Sequence, residues 1–261
     1  MQDLKVVIVQ ANQAWEDKTE NLKHFEVLLN EFDTNQVDLI VLPEMFHTGF
    51  TMSSEALAEE MNNSIGITWL QSMAKNKNAS IYTSLIIKEE NSFFNRGVFV
   101  YPSGEIKAYD KRKLFALAQE DQFYTPGNKN NIVDFKDWKI QLQICYDLRF
   151  PEISRNQIDS HEKPAYDILI YVANWPEKRN LHWKNLLVSR GIENQSYVIG
   201  VNRVGTDGKG LNYSGDSCLV DPLGAITMCQ PNQEQLLFVT LSWNHLNQVR
   251  QSLPFLKDIS C

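Results

Sequence analysis

The chain reads as a single α/β domain over residues 1–261, built on mixed sheets. Three observations predict this. Apolar, β-branched runs recur along its 261 residues with helix-like or polar segments between them. At least one pair of runs is joined by a tight turn, Pro102-Ser-Gly104, which makes a hairpin and argues against a purely parallel sheet. Gln10-Ala-Asn-Gln13 follows the first run where a dinucleotide-binding fold would carry G-x-G-x-x-G.

The elements follow in order. Residues 4–9 alternate as a strand. Residues 21–32 place Leu22, Phe25, Leu28, Leu29 and Phe32 on one helix face. Residues 37–42 form a short, nearly continuous apolar strand of the kind buried on both faces. Ser64 caps a helix carrying Ile65, Trp69, Leu70 and Met73. Residues 81–87, 97–101 and 105–109 are strands, and 132–135 pairs with 139–144. Residues 167–173 form another apolar strand, 181–195 a helix, and Tyr197–Asn202 a strand. Cys218–Val220 and 225–228 flank the turn Asp221-Pro-Leu-Gly224, and 236–241 is the last strand. Residues 206–212 read as a Gly-rich loop. No repeat or low-complexity stretch interrupts the chain.

Composition excludes several classes. A net charge of −7 argues against nucleic-acid and anionic-membrane partners, which reward basic patches. The four cysteines (145, 218, 229 and 261) and five histidines show no zinc-ligand spacing, so no metal or other cofactor is expected. Wide cysteine spacing at this length fits a reducing cytoplasm. The segment Met1-Gln-Asp-Leu-Lys-Val reads as a strand and not a signal peptide, and no apolar run is long enough to span a membrane. Cys218 and Cys229 are expected to pack, and Cys261 to sit in a frayed terminus.

Three strand ends deliver reactive groups. The apolar run before Pro43 delivers Glu44, residues 105–110 deliver Lys111, and residues 139–144 deliver Cys145. Strand ends of an α/β core converge at one edge, where ligands bind. Together a carboxylate, an ammonium and a thiol form a self-consistent apparatus. Glu44 serves as general base, Cys145 as nucleophile, and Lys111 with the Tyr146 N–H as oxyanion donors. A helix start after Cys145 is expected to lower the thiol pKa. Each residue alone also fits a bland role: Glu44 as a loop carboxylate, Lys111 as one charge of a solvated turn, Cys145 as a packing thiol.

Leu42-Pro-Glu44-Met-Phe, Tyr109-Asp-Lys111-Arg-Lys-Leu-Phe115 and Ile144-Cys145-Tyr-Asp-Leu-Arg-Phe-Pro-Glu152 resemble, in order, the Glu, Lys and Cys motifs of the nitrilase-superfamily carbon–nitrogen hydrolases. The resemblance runs from Lys5 to about Asp258. It implies a four-layer α-β-β-α sandwich of two mixed sheets, assembled as a homodimer or higher homo-oligomer. It also implies a second glutamate, Glu120, which positions substrate and Lys111. Lys113 departs from the pattern, because many members carry His there. Cys145-Tyr-Asp-Leu-Arg149, Ala173-Asn-Trp175-Pro, His182-Trp, Arg190-Gly-Ile-Glu-Asn194 and Val201-Asn-Arg203-Val-Gly205 are most similar to the ω-amidase branch. That branch implies cofactor-free hydrolysis of the terminal amide of an α-keto acid amide, such as 2-oxoglutaramate or 2-oxosuccinamate, through a Cys thioester. An N-carbamoyl compound, a nitrile or a deaminated peptide amide is the alternative substrate.

A keto-acid substrate brings a carboxylate that must be paired when buried. Arg149 either grips it or pairs with Asp147 or Glu152. Trp175 walls the pocket or packs in the core. Phe46 and Phe50, close after Glu44, are expected at the mouth. Tyr124 and Tyr213 are pocket or packing residues, and His182 fits a helix face. Two readings compete with this one: a Cys–His hydrolase using His47 or His182, and a binding protein without catalysis.

Overall fold

A computed structural model of the protein describes residues 2–159 and 163–260, so the expectation for Cys261 lies outside the described residues. The first sheet holds β1 (Leu4–Gln10), β2 (Leu39–Val41), β3 (Ser80–Glu89), β4 (Ser92–Val100), β5 (Ile106–Asp110) and β14 (Gln235–Leu241) in the order β14-β1-β2-β3-β4-β5. The second holds β6 (Asn131–Phe135), β7 (Trp138–Ile144), β8 (Ile168–Ala173), β9 (Tyr197–Asn202), β12 (Cys218–Val220) and β13 (Ile226–Met228) in the order β13-β12-β9-β8-β7-β6. A small hairpin, β10 (Val204–Thr206) with β11 (Asn212–Ser214), stands apart.

Both sheets follow one pairing rule. Each has a parallel core of three strands, β1-β2-β3 and β7-β8-β9, flanked by antiparallel partners on both sides. Parallel strands align their C-terminal ends, so β2 and β8 release Glu44 and Asn174 at corresponding edges.

Strand alternation sorts the two faces of the first sheet. Val7, Val9, Ile40, Ile81 and Val98 pack with Phe25, Leu28, Leu70 and Met73, on the helices Lys18–Leu29 and Ile65–Lys77. Val6, Ile8, Leu39, Val41 and Phe99 face the other way, into one cluster with Ile140, Leu142 and Ile170 of the second sheet. The helix Asn180–Asn194 lays Trp183 and Leu187 on β9, whose Gly200 leaves them room: a Cβ there would stand 2.5 Å from Leu187. The layers therefore run helix, sheet, sheet, helix. Each fully buried aliphatic side chain contributes roughly 1.5–3 kcal/mol of transfer free energy to this core.

Ser64 caps its helix as expected, and Asp17, not foreseen, caps the first. Ser64 Oγ accepts from the Ile67 N–H at 2.9 Å, and Asp17 caps the first helix through the Glu20 N–H at 2.9 Å. Several elements differ from the sequence reading; the first helix, for example, spans Lys18–Leu29 rather than 21–32. β4 begins at Ser92 rather than at residue 97, residues 206–212 close a hairpin, and Trp243–Ser252 forms a helix not foreseen. No described helix is long and apolar enough to cross a membrane, and no group of metal-ligating side chains gathers among the described residues.

Candidate active site

The first sheet carries the charges. β2 ends at Val41, and the chain turns through Pro43 to Glu44 and then through Met45 at φ 46°. Thr83 Oγ1 holds the Pro43 carbonyl at 2.6 Å, Ser84 Oγ holds the Met45 N–H at 2.9 Å, and Asn174 Nδ2 donates to the Glu44 carbonyl at 2.7 Å. The fully buried Glu44 carboxylate is thus fixed by its own backbone. Lys111, 1% exposed, follows β5, and its backbone N–H donates to the Asn95 carbonyl of β4 at 3.0 Å.

Lys111 Nζ donates to Glu44 Oε1 at 3.0 Å and to Glu120 Oε1 and Oε2 at 2.8 and 2.9 Å. Asn95 Nδ2 bridges the two carboxylates, 2.7 Å from Glu44 Oε1 and 3.3 Å from Glu120 Oε1. The Phe115 N–H closes the network on Glu120 Oε2 at 2.6 Å. Burial works against the Lys111 charge, but Glu120 and then Glu44 outweigh it, and the ammonium is held well above its ordinary pKa. Burial raises Glu120, Lys111 opposes that shift, and the second carboxylate adds to it.

The second sheet supplies the thiol. Cys145 ends β7 and opens a short 3-10 turn, Cys145–Arg149, with its own backbone at φ 46°. A non-glycine residue there is strained by about 1–2 kcal/mol, and such strain clusters at functional sites. Asp147 ties this turn to the Lys111 loop: its carboxylate accepts the Ile144 and Lys113 N–H groups and the Tyr109 hydroxyl at 2.8–3.0 Å. Cys145 Sγ lies 4.0 Å from the Asn174 carbonyl oxygen, while the Asn174 N–H donates to Glu44 Oε2 at 2.8 Å. The strand end of β8 therefore couples thiol and carboxylate.

The thiol does not behave as a helix start would make it. Burial drives Cys145 well above its ordinary pKa, Glu44 and Glu120 drive it further, and Lys111 pulls it back. A turn this short has little dipole to offer, and the carboxylates outweigh it. These surroundings favour the protonated thiol.

Cys145 borders a cleft whose walls include Phe50, Phe115, Tyr146, Trp175 and Tyr213, with Arg149 and Arg179 set into them. Arg149 lies over the Trp175 ring at 4.7 Å, and its Nη2 is 3.2 Å from His182 Nδ1. It does not pair with either carboxylate proposed as its structural partner. Asp147 is engaged as above, and Glu152 pairs with Lys113 at 3.3 Å. Trp175 fills both roles foreseen for it, lining the cleft while only 3% exposed.

Two expectations need correction. Phe46 is not at the mouth: it is fully buried under the first sheet, edge-on to Phe25 at 5.4 Å and stacked on His47 at 5.3 Å. The left-handed Met45 turns its neighbour inward. Tyr124 does not line the cleft either; it packs with Met45 and Ile86 and donates its hydroxyl to the Thr51 carbonyl at 2.6 Å. The two histidines are engaged elsewhere, His47 3.6 Å from Glu59 and His182 at Arg149. Asn95 and Arg179 escape sequence reasoning, because an asparagine within a strand or an arginine in a short turn carries no motif of its own, and Asn174 and Phe115 enter it only as motif members without a role.

A family profile for carbon-nitrogen hydrolase matches residues 5–251. The chain belongs to the carbon-nitrogen hydrolase family. Similar proteins include the omega-amidase YafV of Yersinia enterocolitica, 41% identical over 259 residues that cover 99% of this chain and 97% of that protein. The 2-oxoglutaramate amidase of Bacillus subtilis is 30% identical over 244 residues, 92% of each chain. Among solved structures, the CN-hydrolase superfamily protein XC1258 of Xanthomonas campestris, with an arsenic adduct in its active site, superposes with a TM-score of 0.94. It is 38% identical, and the match covers 99% of this chain and 97% of that one. The hydrolase thus has the fold and the family that its three motifs imply.

Proposed function

We propose that this carbon-nitrogen hydrolase is an ω-amidase that releases ammonia from the terminal amide of an α-keto acid amide, 2-oxoglutaramate or 2-oxosuccinamate. The observation that carries the chemistry is the asymmetry of the Glu44 carboxylate. Oε1 accepts from both Asn95 and Lys111, whereas Oε2 accepts from the Asn174 N–H alone. A carboxylate oxygen with one donor keeps a lone pair for a proton. Oε2 is the atom that takes the thiol proton of Cys145.

The steps then balance. Glu44 accepts the thiol proton as Sγ attacks the amide carbon. The carbonyl oxygen becomes an oxyanion facing the Lys111 ammonium and the Tyr146 N–H, one of the leading amides of a turn that have no partner inside it. Glu44 returns its proton to the departing nitrogen, which leaves as ammonia. A water molecule, deprotonated by Glu44, cleaves the thioester and restores the thiol. Glu120 holds Lys111 in place and supplies the second negative charge that keeps it protonated. The choice of a keto-acid amide rests on likeness to the ω-amidase YafV and the 2-oxoglutaramate amidase along nearly the whole chain. Homodimeric assembly and a cytoplasmic location belong to the same proposal.

The test is ammonia release from the purified protein across keto-acid amides, glutamine, N-carbamoyl compounds and nitriles. Highest kcat/KM on a keto-acid amide is expected. A higher value on a carbamoyl compound or a nitrile would replace the substrate and leave the thiol chemistry standing.

A further inference from the structure

The cleft holds more positive charge than its own side chains neutralise. Arg149 and Arg179 both line it, and among the described residues neither has a carboxylate within 4.0 Å. Lys209 adds a third cation at the rim. Asp207, the one acidic residue in the lining, is spent on its own hairpin. Its Oδ1 accepts the Lys209 and Leu211 N–H groups at 2.8 and 2.9 Å, and its Oδ2 accepts the Tyr213 hydroxyl at 2.9 Å. Burial and the neighbouring Arg179 charge both lower the Arg149 pKa, so the two guanidiniums repel each other.

Two unpaired like charges beside aromatic walls are relieved by one anion between them. The arginines are not equivalent in what they have left to give. Arg149 is clamped against Trp175 and has one nitrogen at His182. The Arg179 guanidinium carbon lies 5.2 Å from the Phe115 ring centre, and among the described residues its side chain donates no hydrogen bond, which leaves its N–H fork for a bidentate partner. Its backbone is fixed, because Trp175 Nε1 donates to the Arg179 carbonyl at 2.9 Å.

We propose that Arg179 is the specificity-determining residue of the cleft, receiving the carboxylate at the far end of the amide substrate, with Arg149 as the second, pre-clamped prong. This inference rests on the keto-acid amide reading given above. It explains why an enzyme of net charge −7 gathers three cations at one opening, where they draw an anionic substrate toward the thiol.

The experiment compares kcat/KM for 2-oxoglutaramate with that for a neutral amide of the same chain length, in the wild type and in Arg179→Gln and Arg179→Lys. Arg179→Gln is expected to lower the preference for the acidic amide by roughly 10–100-fold, the range for losing a hydrogen-bonded charge, with the change falling on KM. Arg179→Lys recovers part of it, because a lysine keeps the charge and loses the fork. Equal losses on both amides, or a preference unchanged by Arg179→Gln while the wild type favours the acidic amide, would overturn the assignment and leave the amidase reading intact. A wild type indifferent to the far carboxylate would instead overturn both.

Discussion

Lys111 and Arg179 are two cations held under opposite conditions, Arg179 in the wall of the cleft and Lys111 against Phe50, which lines it. Lys111 is 1% exposed and satisfied by Glu44 and Glu120 before any substrate arrives. Arg179 is half-buried, lies 5.2 Å from the Phe115 ring centre and has no carboxylate partner among the described residues. The first arrangement is a preorganised charge: the ammonium is buried and held between two carboxylates, and its geometry does not wait for the substrate. The second has an unmet charge, which a ligand completes. On the proposed reading, reaction and recognition are divided between a buried floor and a half-buried wall, built largely from different sheets.

That division can be broken from the floor first. Glu44→Gln removes the proton acceptor and is expected to reduce turnover by roughly 10²–10⁴-fold, the contribution of a positioned base. The same change should make the Cys145 thiol more acidic, because the Glu44 charge is one of the influences raising it. Ultraviolet thiolate titration reads the second effect separately from turnover. A thiol pKa that rises in Glu44→Gln would mean that the carboxylate does not act on the sulfur.

Lys111→Met is the complementary lesion. It should cost roughly 10²–10³-fold in kcat, as the loss of an oxyanion donor does, and shift the thiol pKa upward, because Lys111 is what pulls it down. Near-normal turnover would place the ammonium outside the reaction. Opposite thiol shifts in the two variants are the signature of the floor, and neither should follow from Arg179→Gln.

The smallest effect concerns the joint between the two sheets. Burial first, against the N–H of Ile144 and the hydroxyl of Tyr109, holds Asp147 at about 6. A carboxyl whose pKa is higher in the folded than in the unfolded chain favours folding while protonated. That contribution is full below the ordinary aspartate range and is lost as pH rises through about 6. The stability penalty of Asp147→Asn, measured by urea unfolding, should therefore shrink between pH ~4 and pH ~7, by no more than about 3 kcal/mol. A penalty that grows over that interval would contradict the burial of this carboxyl.

Much of the floor is legible in the sequence, because strand alternation ends sharply at Glu44, Lys111 and Cys145 and motif order links them. The parts that stay hidden do so for physical reasons. Asn95-Arg96 precedes the strand read from Gly97, yet it lies inside β4. There Arg96 is paired across the ladder with Asp110 and forms salt bridges with Asp110 and Glu89 at 2.6 Å, so neighbouring strands neutralise what the local sequence leaves polar. Asn95, the bridge between the carboxylates, is hidden with it. The Trp243–Ser252 helix buries only Leu246 and Val249, too few apolar positions to show a period. Phe46 misleads because an aromatic beside a catalytic strand end is as suited to the core as to the mouth, and only the left-handed Met45 decides which. The cationic wall gathers the 3-10 turn after β7, the segment after β8 and the β10-β11 hairpin, a juxtaposition that no local pattern encodes.

The central claim is that sulfur 145 forms the bond that breaks the amide. Ammonia release by Cys145→Ala, measured on the best substrate with the wild-type circular dichroism spectrum and melting transition verified, tests it most directly. Loss of essentially all turnover in a folded protein is the predicted result. A folded variant that still releases ammonia at more than a few percent of the wild-type rate would contradict the account.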